Sequence, residues 1–179
     1  MFKRIQDIDD VVISKISKLH SPLRNKIMIA VSTSGNMGLV WFALCLPFLI
    51  NPPWRATGAN IIFGLCIAHL MGEIIIKHLV KRVRPCHKLD DEEQIIHKPK
   101  YYSFPSGHTT ASFSVVGVVM LRCSMPVVLA VLALASLIGF SRIYLRVHYL
   151  SDVVAGAFLG FLCGFASVSL FNYFVAMFV

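Results

Sequence analysis

The chemistry of this sequence is concentrated in three short blocks that combine cations, histidines and one carboxylate. The blocks are Lys77-x6-Arg84-Pro85, Pro105-Ser106-Gly107-His108 and Ser141-Arg142-x5-His148-x3-Asp152. Guanidinium and ammonium groups bind phosphate oxygens, and a histidine oriented by a carboxylate can attack phosphorus. Together the blocks indicate that a phosphate is held and transferred to a histidine nitrogen.

In the first block, Lys77 and Arg84 are separated by about two turns of a continuous helix. On such a helix both side chains would lie on one face, roughly 10 Å apart. Arg84 offers a planar fork and Lys77 a point charge, so the pair could bind one phosphoryl group from two sides. Pro85 is predicted to end the helix. Taken alone, these cations with Lys81 and Arg82 could equally anchor a helix end to lipid headgroups.

In the second block, Ser106 precedes an apolar run and is predicted to cap a helix. The free N–H groups of the first turn could then face an anion, and Gly107 would let the backbone approach it closely. His108 would lie beside that anion as a general acid for a departing alkoxide. Taken alone, His108 is equally well explained as an amphipathic residue at the membrane interface.

In the third block, His148 and Asp152 are four residues apart and can share one face of a helix. Asp152 could accept the Nδ1 proton of His148, leaving Nε2 free to attack phosphorus. Arg142 would be off that face on a continuous helix. We therefore expect a turn between Arg142 and His148 that returns the guanidinium to the phosphate, where it would stabilise the charge that develops on the oxygens.

A metal site is the competing interpretation of His108, His148 and Asp152, since histidine and carboxylate are common ligands. The neighbouring cations would repel a divalent ion, so we predict no metal and no cofactor. Glu73 lies one turn before Lys77 in an apolar segment, where an isolated charge is costly. It is expected to pair with Lys77 or to line a polar cavity.

The surrounding sequence is typical of an integral membrane protein. Of its 179 residues, 56% are hydrophobic, and the mean hydropathy is +0.72. Several apolar stretches approach the ~20 residues that cross a bilayer. The net charge is +8, and the cationic residues lie between these apolar stretches. This position favours anionic lipid or a phosphate substrate as the partner over nucleic acid. The predicted spans are residues 26–50, 59–79, 104–121, 125–145 and 150–178.

We predict an all-α fold, an integral membrane bundle of about five transmembrane helices preceded by an amphipathic surface helix. Residues 1–25 would form the surface helix, ending at Pro22, and residues 26–179 the catalytic core of a single domain. The segment Gly35-Asn36-Met37-Gly38 is expected either to bend the first span or to mark a close helix contact. Because successive spans alternate in direction, all three blocks are expected to meet at one face of the membrane. The five cysteines show no disulfide or metal spacing.

These three blocks resemble the signature motifs of the type 2 phosphatidic acid phosphatase (PAP2) superfamily, and every motif position matches. The resemblance implies hydrolysis of a membrane lipid phosphate or diphosphate, without metal, through a phosphohistidine. It implies that His148 is the nucleophile, Asp152 its partner and His108 the acid. The implied phosphate ligands are Lys77, Arg84, Ser106, Gly107 and Arg142.

The identity of the lipid stays open among phosphatidate, phosphatidylglycerophosphate, undecaprenyl diphosphate and lipid A phosphates. A related phosphotransferase, a vanadate-using haloperoxidase-like protein and a catalytically silent lipid-binding protein are the alternatives. The resemblance implies a site outside the cytoplasm, whereas Lys and Arg are concentrated on the site face, which the positive-inside rule assigns to the cytoplasm. We follow the resemblance for the orientation. Oligomeric state is not predicted.

Overall fold

The computed structural model of the chain describes residues 2–90, 93–100 and 102–178, and its regular elements in these ranges are helices. In chain order they are α1 (Phe2–Ser17), α2 (Pro22–Ser34), α3 (Leu39–Ile50), α4 (Arg55–His69), a π-helical segment (Leu70–Ile76), α5 (Lys77–Val80), α6 (Gly107–Arg122), α7 (Met125–Tyr144) and α8 (Leu150–Phe178), with short 3-10 turns at Asn36–Gly38, Pro52–Trp54 and Pro85–Lys88. The prediction of an all-helical membrane protein is confirmed.

The N-terminal helix α1 presents apolar side chains outward and buries a carboxylate. Ile8 and Val11 are 58% and 53% exposed, whereas Asp9 is 1% exposed. Exposed apolar residues beside exposed charged ones suit a helix whose outer face lies at the lipid surface. The predicted end at Pro22 is wrong, because α1 ends at Ser17 and Pro22 is the first residue of α2. Proline is well tolerated there, since the first N–H of a helix has no internal partner.

The predicted bend lies where α2 meets α3. The axes of Pro22–Ser34 and Asn36–Ile50 differ by 52°. Met37 and Gly38 adopt left-handed backbone conformations with φ of 51° and 72°, which a continuing helix cannot contain. The bend places Asn36 beside α6, as described below.

The second predicted span is longer than the sequence suggested. From α4 the helix continues through the π-helical segment into α5 and ends at Lys81, whose φ is 52°. Arg84 follows in an extended conformation. The expectation that Lys77 and Arg84 share one continuous helix is therefore wrong, and Lys81 rather than Pro85 ends that helix.

Helices α6 and α8 are in close contact along a row of glycines. Gly156, Gly160 and Gly164 lie one turn apart on α8 and face the backbone of α6. A Cβ on Gly156 would lie 2.8 Å from the carbonyl oxygen of Ser106, and Cβ atoms on the other two would come closer still to carbonyls of α6. Small residues at this spacing let membrane helices approach closely. This contact fixes the start of α6 against the start of α8.

Fewer helices than predicted are long enough and apolar enough to cross a membrane in the described part of the chain. Three helical segments of the described chain, Pro52–Lys88, Met125–Tyr144 and Leu150–Met177, are long and apolar enough to cross a membrane, and the bent pair α2 and α3 could be a fourth. Helix α6, at the third predicted span, has 16 residues, fewer than the ~20 that a perpendicular crossing needs. The count of about five stays a prediction.

Candidate active site

The three sequence blocks meet at one cavity of about 930 Å³. The residues of the blocks that line it are Lys77, Arg84, Gly107, His108, Arg142 and His148. They come from the start of α5, the extended segment after α5, the start of α6, the end of α7 and the turn before α8. The meeting of the blocks, expected from the alternation of the spans, is therefore present.

The geometry around His148 defines which ring nitrogen carries the proton. Nη1 of Arg84 lies 3.0 Å from Nε2 of His148 and donates a 2.9 Å hydrogen bond to the carbonyl of Val147. A guanidinium can donate but not accept a hydrogen bond, so Nε2 must be the acceptor. The proton of the neutral ring is then on Nδ1, and the lone pair of Nε2 accepts the hydrogen bond from Arg84 at the cavity.

Asp152 lies on the Nδ1 side of the same ring. Its Oδ2 is 3.6 Å from Nδ1 of His148 and accepts a 2.9 Å hydrogen bond from the backbone N–H of Tyr149. A separation of 3.6 Å is longer than a hydrogen bond. The carboxylate thus faces the imidazole N–H without bonding to it here. His148 and Asp152 lie in the turn before α8 and in its first turn.

The surroundings of His148 keep its ring neutral. Burial lowers the pKa of His148 well below its usual range, and the guanidinium groups of Arg84 and Arg142 lower the pKa further. The side chain is 1% exposed. A neutral imidazole with an unprotonated Nε2 is the form that can act as a nucleophile.

Lys77 is held by Glu73 against the start of α6. Its Nζ is 2.5 Å from Oε1 of Glu73, and both side chains line the cavity, as the sequence predicted. The Glu73 carboxylate occupies the space that a Cβ on Gly107 would need. Gly107 therefore lets a charged side chain approach the backbone at the start of α6, and its predicted contact with a phosphate stays a prediction.

Arg142 reaches the cavity because the chain turns after α7. Leu145 leaves the helical conformation, Arg146 has a φ of 57°, and the N–H of His148 donates a 3.2 Å hydrogen bond to the carbonyl of Arg142. This is the turn that the spacing predicted. Nη1 of Arg142 donates to Oγ of Ser32 on α2, so a buried serine of the bent span helps to orient the guanidinium.

His108 lies at the cavity beside the bend between α2 and α3. Its Nε2 is 2.8 Å from Oδ1 of Asn36, and a Cβ on Gly35 would lie 3.1 Å from its ring. The imidazole is thus placed by a residue of the first span that sequence reasoning treated only as part of a bend.

Ser106 is the one predicted phosphate ligand that the cavity does not include. It is fully buried, its Oγ accepts a 2.9 Å hydrogen bond from Thr109, and its N–H donates a 3.0 Å hydrogen bond to the carbonyl of Asp152. It occupies the N-cap position of α6 without a side-chain capping bond. In this structure Ser106 connects the starts of α6 and α8, and its role at the phosphate stays a prediction.

The potential metal ligands of the site do not come together as a metal centre would require. In the described part of the chain, no group of three or more His, Cys, Asp or Glu side chains could hold a metal ion. The charged groups that converge on the cavity are mainly cations, which suit a phosphate better than a divalent metal.

Comparison with known proteins assigns this arrangement to a family. Residues 57–176 match the PAP2 superfamily, a stretch that includes all three blocks and the four segments that carry them. The chain belongs to the PAP2 superfamily. With that membership, the prediction of a hydrolase acting on lipid phosphates is confirmed.

Individual PAP2 relatives agree in sequence and in fold. The chain is 32% identical to an undecaprenyl-diphosphatase of Sulfolobus acidocaldarius over 148 residues, which cover 82% of this chain and 70% of the relative. It is 25% identical to phosphatidylglycerophosphatase B of Bacillus subtilis over 90% of this chain and 82% of the relative. The crystal structure of Aquifex aeolicus LpxE superposes with a TM-score of 0.78 and 26% identity, covering 90% of this chain and 95% of that one.

Part of the wall of the PAP2 cavity is apolar. It includes Met37 and Phe42 of the bent span, Leu65 and Ala68 of α4, and Ala111 of α6. Phe42 and Met37 are exposed, so this wall is continuous with the surface of the bundle. One cavity thus combines a cationic end with an apolar side.

Sequence reasoning missed Arg82, which is a partner of Asp152. Its Nη1 lies 2.6 Å from Oδ1 of Asp152, although the sequence grouped it with residues that anchor a helix end. Arg82 is not one of the specified residues of the three blocks, so nothing in the sequence indicated this role.

The sequence analysis also missed the glycine row of α8. Its spacing of four residues within an apolar span was a usable signal.

Proposed function

We propose that this PAP2 phosphatase hydrolyses a lipid phosphate or diphosphate through a phosphohistidine at His148, without a metal or cofactor. The observation that carries the proposal is the orientation of His148. Its Nε2 accepts a hydrogen bond from Arg84 at a cavity that also holds Lys77, Arg142 and His108. A nucleophile and the cations that bind its target are therefore adjacent.

In the first step, Nε2 of His148 attacks the phosphorus of the bound phosphate. A nitrogen–phosphorus bond forms as the bond between phosphorus and the lipid oxygen breaks. Lys77, Arg84 and Arg142 stabilise the charge on the non-bridging oxygens. As His148 becomes cationic, Asp152 stabilises its Nδ1–H, in the manner of the carboxylate in serine hydrolases.

His108 supplies and removes the protons. As an imidazolium it protonates the departing lipid oxygen, which leaves as an alcohol or as the shorter phosphate ester. The neutral imidazole then takes a proton from water, which attacks the phosphohistidine. The nitrogen–phosphorus bond breaks, His148 returns to its neutral form, and inorganic phosphate is released. Ser106 and Gly107 complete the proposed phosphate site.

The lipid part of the substrate is placed by the apolar wall. A phosphate at Arg84 leaves the wall formed by Phe42 and Leu65 for the first carbons of the chain, and the rest extends into the bilayer. Burial of each methylene contributes about 0.8 kcal/mol, which favours a lipid over a small soluble ester.

The relatives support two substrate classes for this chain. One relative is named as an undecaprenyl-diphosphatase and another as a phosphatidylglycerophosphatase. We propose that the substrate belongs to these classes of prenyl diphosphates and phospholipid phosphomonoesters. We also propose one catalytic unit over residues 1–179, several membrane passes and a site on the extracytoplasmic face, as the family resemblance implies.

The test is phosphate release by the purified protein in detergent with excess EDTA. Undecaprenyl diphosphate, phosphatidylglycerophosphate, phosphatidate and lipid A phosphates are compared, with His148→Ala and Asp152→Asn in parallel. We expect release to persist in EDTA, to vanish in His148→Ala and to fall by about 10³-fold or more in Asp152→Asn, the direction of the analogous change in a serine hydrolase.

The outcomes separate the proposal from its alternatives. Near-normal release by folded His148→Ala would exclude the phosphohistidine mechanism. Loss of release in EDTA with recovery on added metal would exclude metal independence. Binding of lipid without release from any of the four classes would favour a catalytically silent protein, and transfer of the phosphate to a second lipid would favour a phosphotransferase.

A further inference from the structure

One carboxylate of α1 is buried against the catalytic half of the bundle. Asp9 is 1% exposed, whereas Asp7 and Asp10 on the same helix are exposed. The Oδ1 of Asp9 accepts a 2.9 Å hydrogen bond from the N–H of Ser151, and its Oδ2 accepts a 2.5 Å bond from the hydroxyl of Ser151. A buried carboxylate needs such partners, because removing it from water is costly.

Arg82 joins this carboxylate to the carboxylate of Asp152. Its Nη2 lies 2.7 Å from Oδ2 of Asp9, and its Nη1 lies 2.6 Å from Oδ1 of Asp152. Its face stacks on the ring of Tyr149, with Cζ 4.1 Å from the ring centroid. The guanidinium is therefore fixed from both ends of its fork and from one face, which a lysine could not reproduce.

This contact also determines how Asp152 faces His148. Oδ1 of Asp152 is occupied by Arg82, while Oδ2 is held by the N–H of Tyr149 and points to Nδ1 of His148 at 3.6 Å. A carboxylate fixed at both oxygens cannot rotate away from the imidazole. The chain of contacts from Asp9 thus ends at the catalytic dyad.

We propose that Asp9 is a positioning residue for catalysis, acting through Arg82 to hold the Asp152 carboxylate toward His148. The docking of α1 then completes the active site, and this inference rests on the proposed function. Two carboxylates share one guanidinium, so Asp9 holds one end of the Arg82 fork while the other end orients Asp152. The alternative is a purely structural network that attaches α1 to the bundle.

The test compares Asp9→Asn with Asp7→Asn, which removes the same charge from the exposed side of α1. We expect Asp9→Asn to lower kcat about tenfold to hundredfold, because small displacements of a catalytic group have effects of this size. The KM for the lipid should stay within about twofold, since no phosphate ligand is altered. Asp9→Glu should recover part of kcat, and Asp7→Asn should match the wild type.

A double-mutant cycle separates positioning from simple attachment of α1. If Asp9 acts through Asp152, adding Asp9→Asn to Asp152→Asn should lower kcat no further. Effects that multiply, or a kcat of folded Asp9→Asn equal to the wild type, would overturn the inference. An inactive wild type would instead contradict the proposed function, so the two failures are distinct.

A second pair of variants tests the positioning role of Asp9 if Asp9→Asn does not fold. Ser151→Ala removes the hydroxyl bonds to Asp9 and Arg82 without changing any charge, and Arg82→Lys keeps the charge but not the fork. We expect both to lower kcat with KM nearly unchanged, Arg82→Lys more strongly. Wild-type kcat in both variants would overturn the inference.

Discussion

At the scale of single residues, hydrogen-bond chemistry defines the state of the two histidines. The donor from Arg84 requires that Nε2 of His148 be an acceptor. His108, by contrast, is joined at Nε2 to the oxygen of Asn36 at 2.8 Å, and an amide oxygen can only accept, so this nitrogen carries a proton. Nε2 is therefore the hydrogen-bond acceptor in His148 and the hydrogen-bond donor in His108, which fits the proposed roles of nucleophile and proton donor.

The contact between Asn36 and His108 leads to a prediction. Asn36→Ala removes the acceptor, so the ring loses its orientation and a hydrogen bond that would strengthen when His108 is charged. We expect kcat to fall about tenfold, equivalent to about 1.4 kcal/mol, measured as phosphate release from the preferred lipid. Ser34→Ala is the control, since the Ser34 hydroxyl bonds to the carbonyl of Val31 in its own helix. Equal rates for the wild type and Asn36→Ala would show that Asn36 does not orient the acid.

At the scale of elements, the site depends on how closely α6 and α8 approach each other. His108 is carried by α6, while Asp152 is carried by α8 and His148 directly precedes it. The N–H of Ser106 donates to the carbonyl of Asp152 at 3.0 Å, so the two helix starts are bonded to each other. The glycine row of α8 permits this approach and thereby fixes the start of α6, which carries His108, against the start of α8, which follows His148.

We predict that Gly160→Ala destabilises the protein and lowers activity. The added Cβ would collide with the carbonyl of Thr110, and overpacking of a tight contact costs roughly 1–3 kcal/mol. Thermal unfolding in detergent should show a lower midpoint, together with slower phosphate release. Gly64→Ala is the matched control, because a Cβ on Gly64 would meet its nearest neighbour, Val118, at an ordinary 3.5 Å. Equal midpoints for the two variants would contradict the assigned role of the row.

At the scale of the whole molecule, the cavity joins a cationic end to an apolar wall that reaches the surface of the bundle. Phe42 is 43% exposed, while Arg84 and Lys77 at the other end are 5% and 3% exposed. A headgroup can thus be surrounded by fixed charge while its chain stays in an apolar environment. No single helix provides both the cationic end and the apolar wall of the cavity, because their residues come from different parts of the chain.

The apolar wall predicts that a larger side chain at Cys66 lowers activity on lipid substrates more than activity on soluble substrates. This exposed residue of α4 lines the cavity, so Cys66→Trp should obstruct the lipid chain but not the phosphate site. We expect phosphate release from a long-chain lipid to fall several-fold more than release from a soluble aryl phosphate. Phe63→Trp is the control, since Phe63 is exposed on the same helix but does not line the cavity. Equal losses on both substrates would contradict entry of the chain along this wall.

The sequence alone predicts the enzyme class, the helical class and the meeting of the three blocks. Residue types and spacings are local, and alternation of apolar spans brings the blocks to one face. It also predicts a bend or a close helix contact at Gly35-Asn36-Met37-Gly38 and a turn after Arg142, because glycine and off-face spacing are local signals. These predictions needed no knowledge of how the helices pack.

The tertiary structure decided which residues support the site. Asp9 and Asp152 are joined by Arg82 although they are far apart in the sequence, and Asn36 meets His108 across a separation of 72 residues. Such contacts depend on helix packing and on where a helix ends. The left-handed Lys81 ends α5 early, which releases Arg84 to approach His148 and Arg82 to approach Asp152. The spacing of Lys77 and Arg84 alone suggested one continuous helix, because periodicity does not record the residue at which a helix stops.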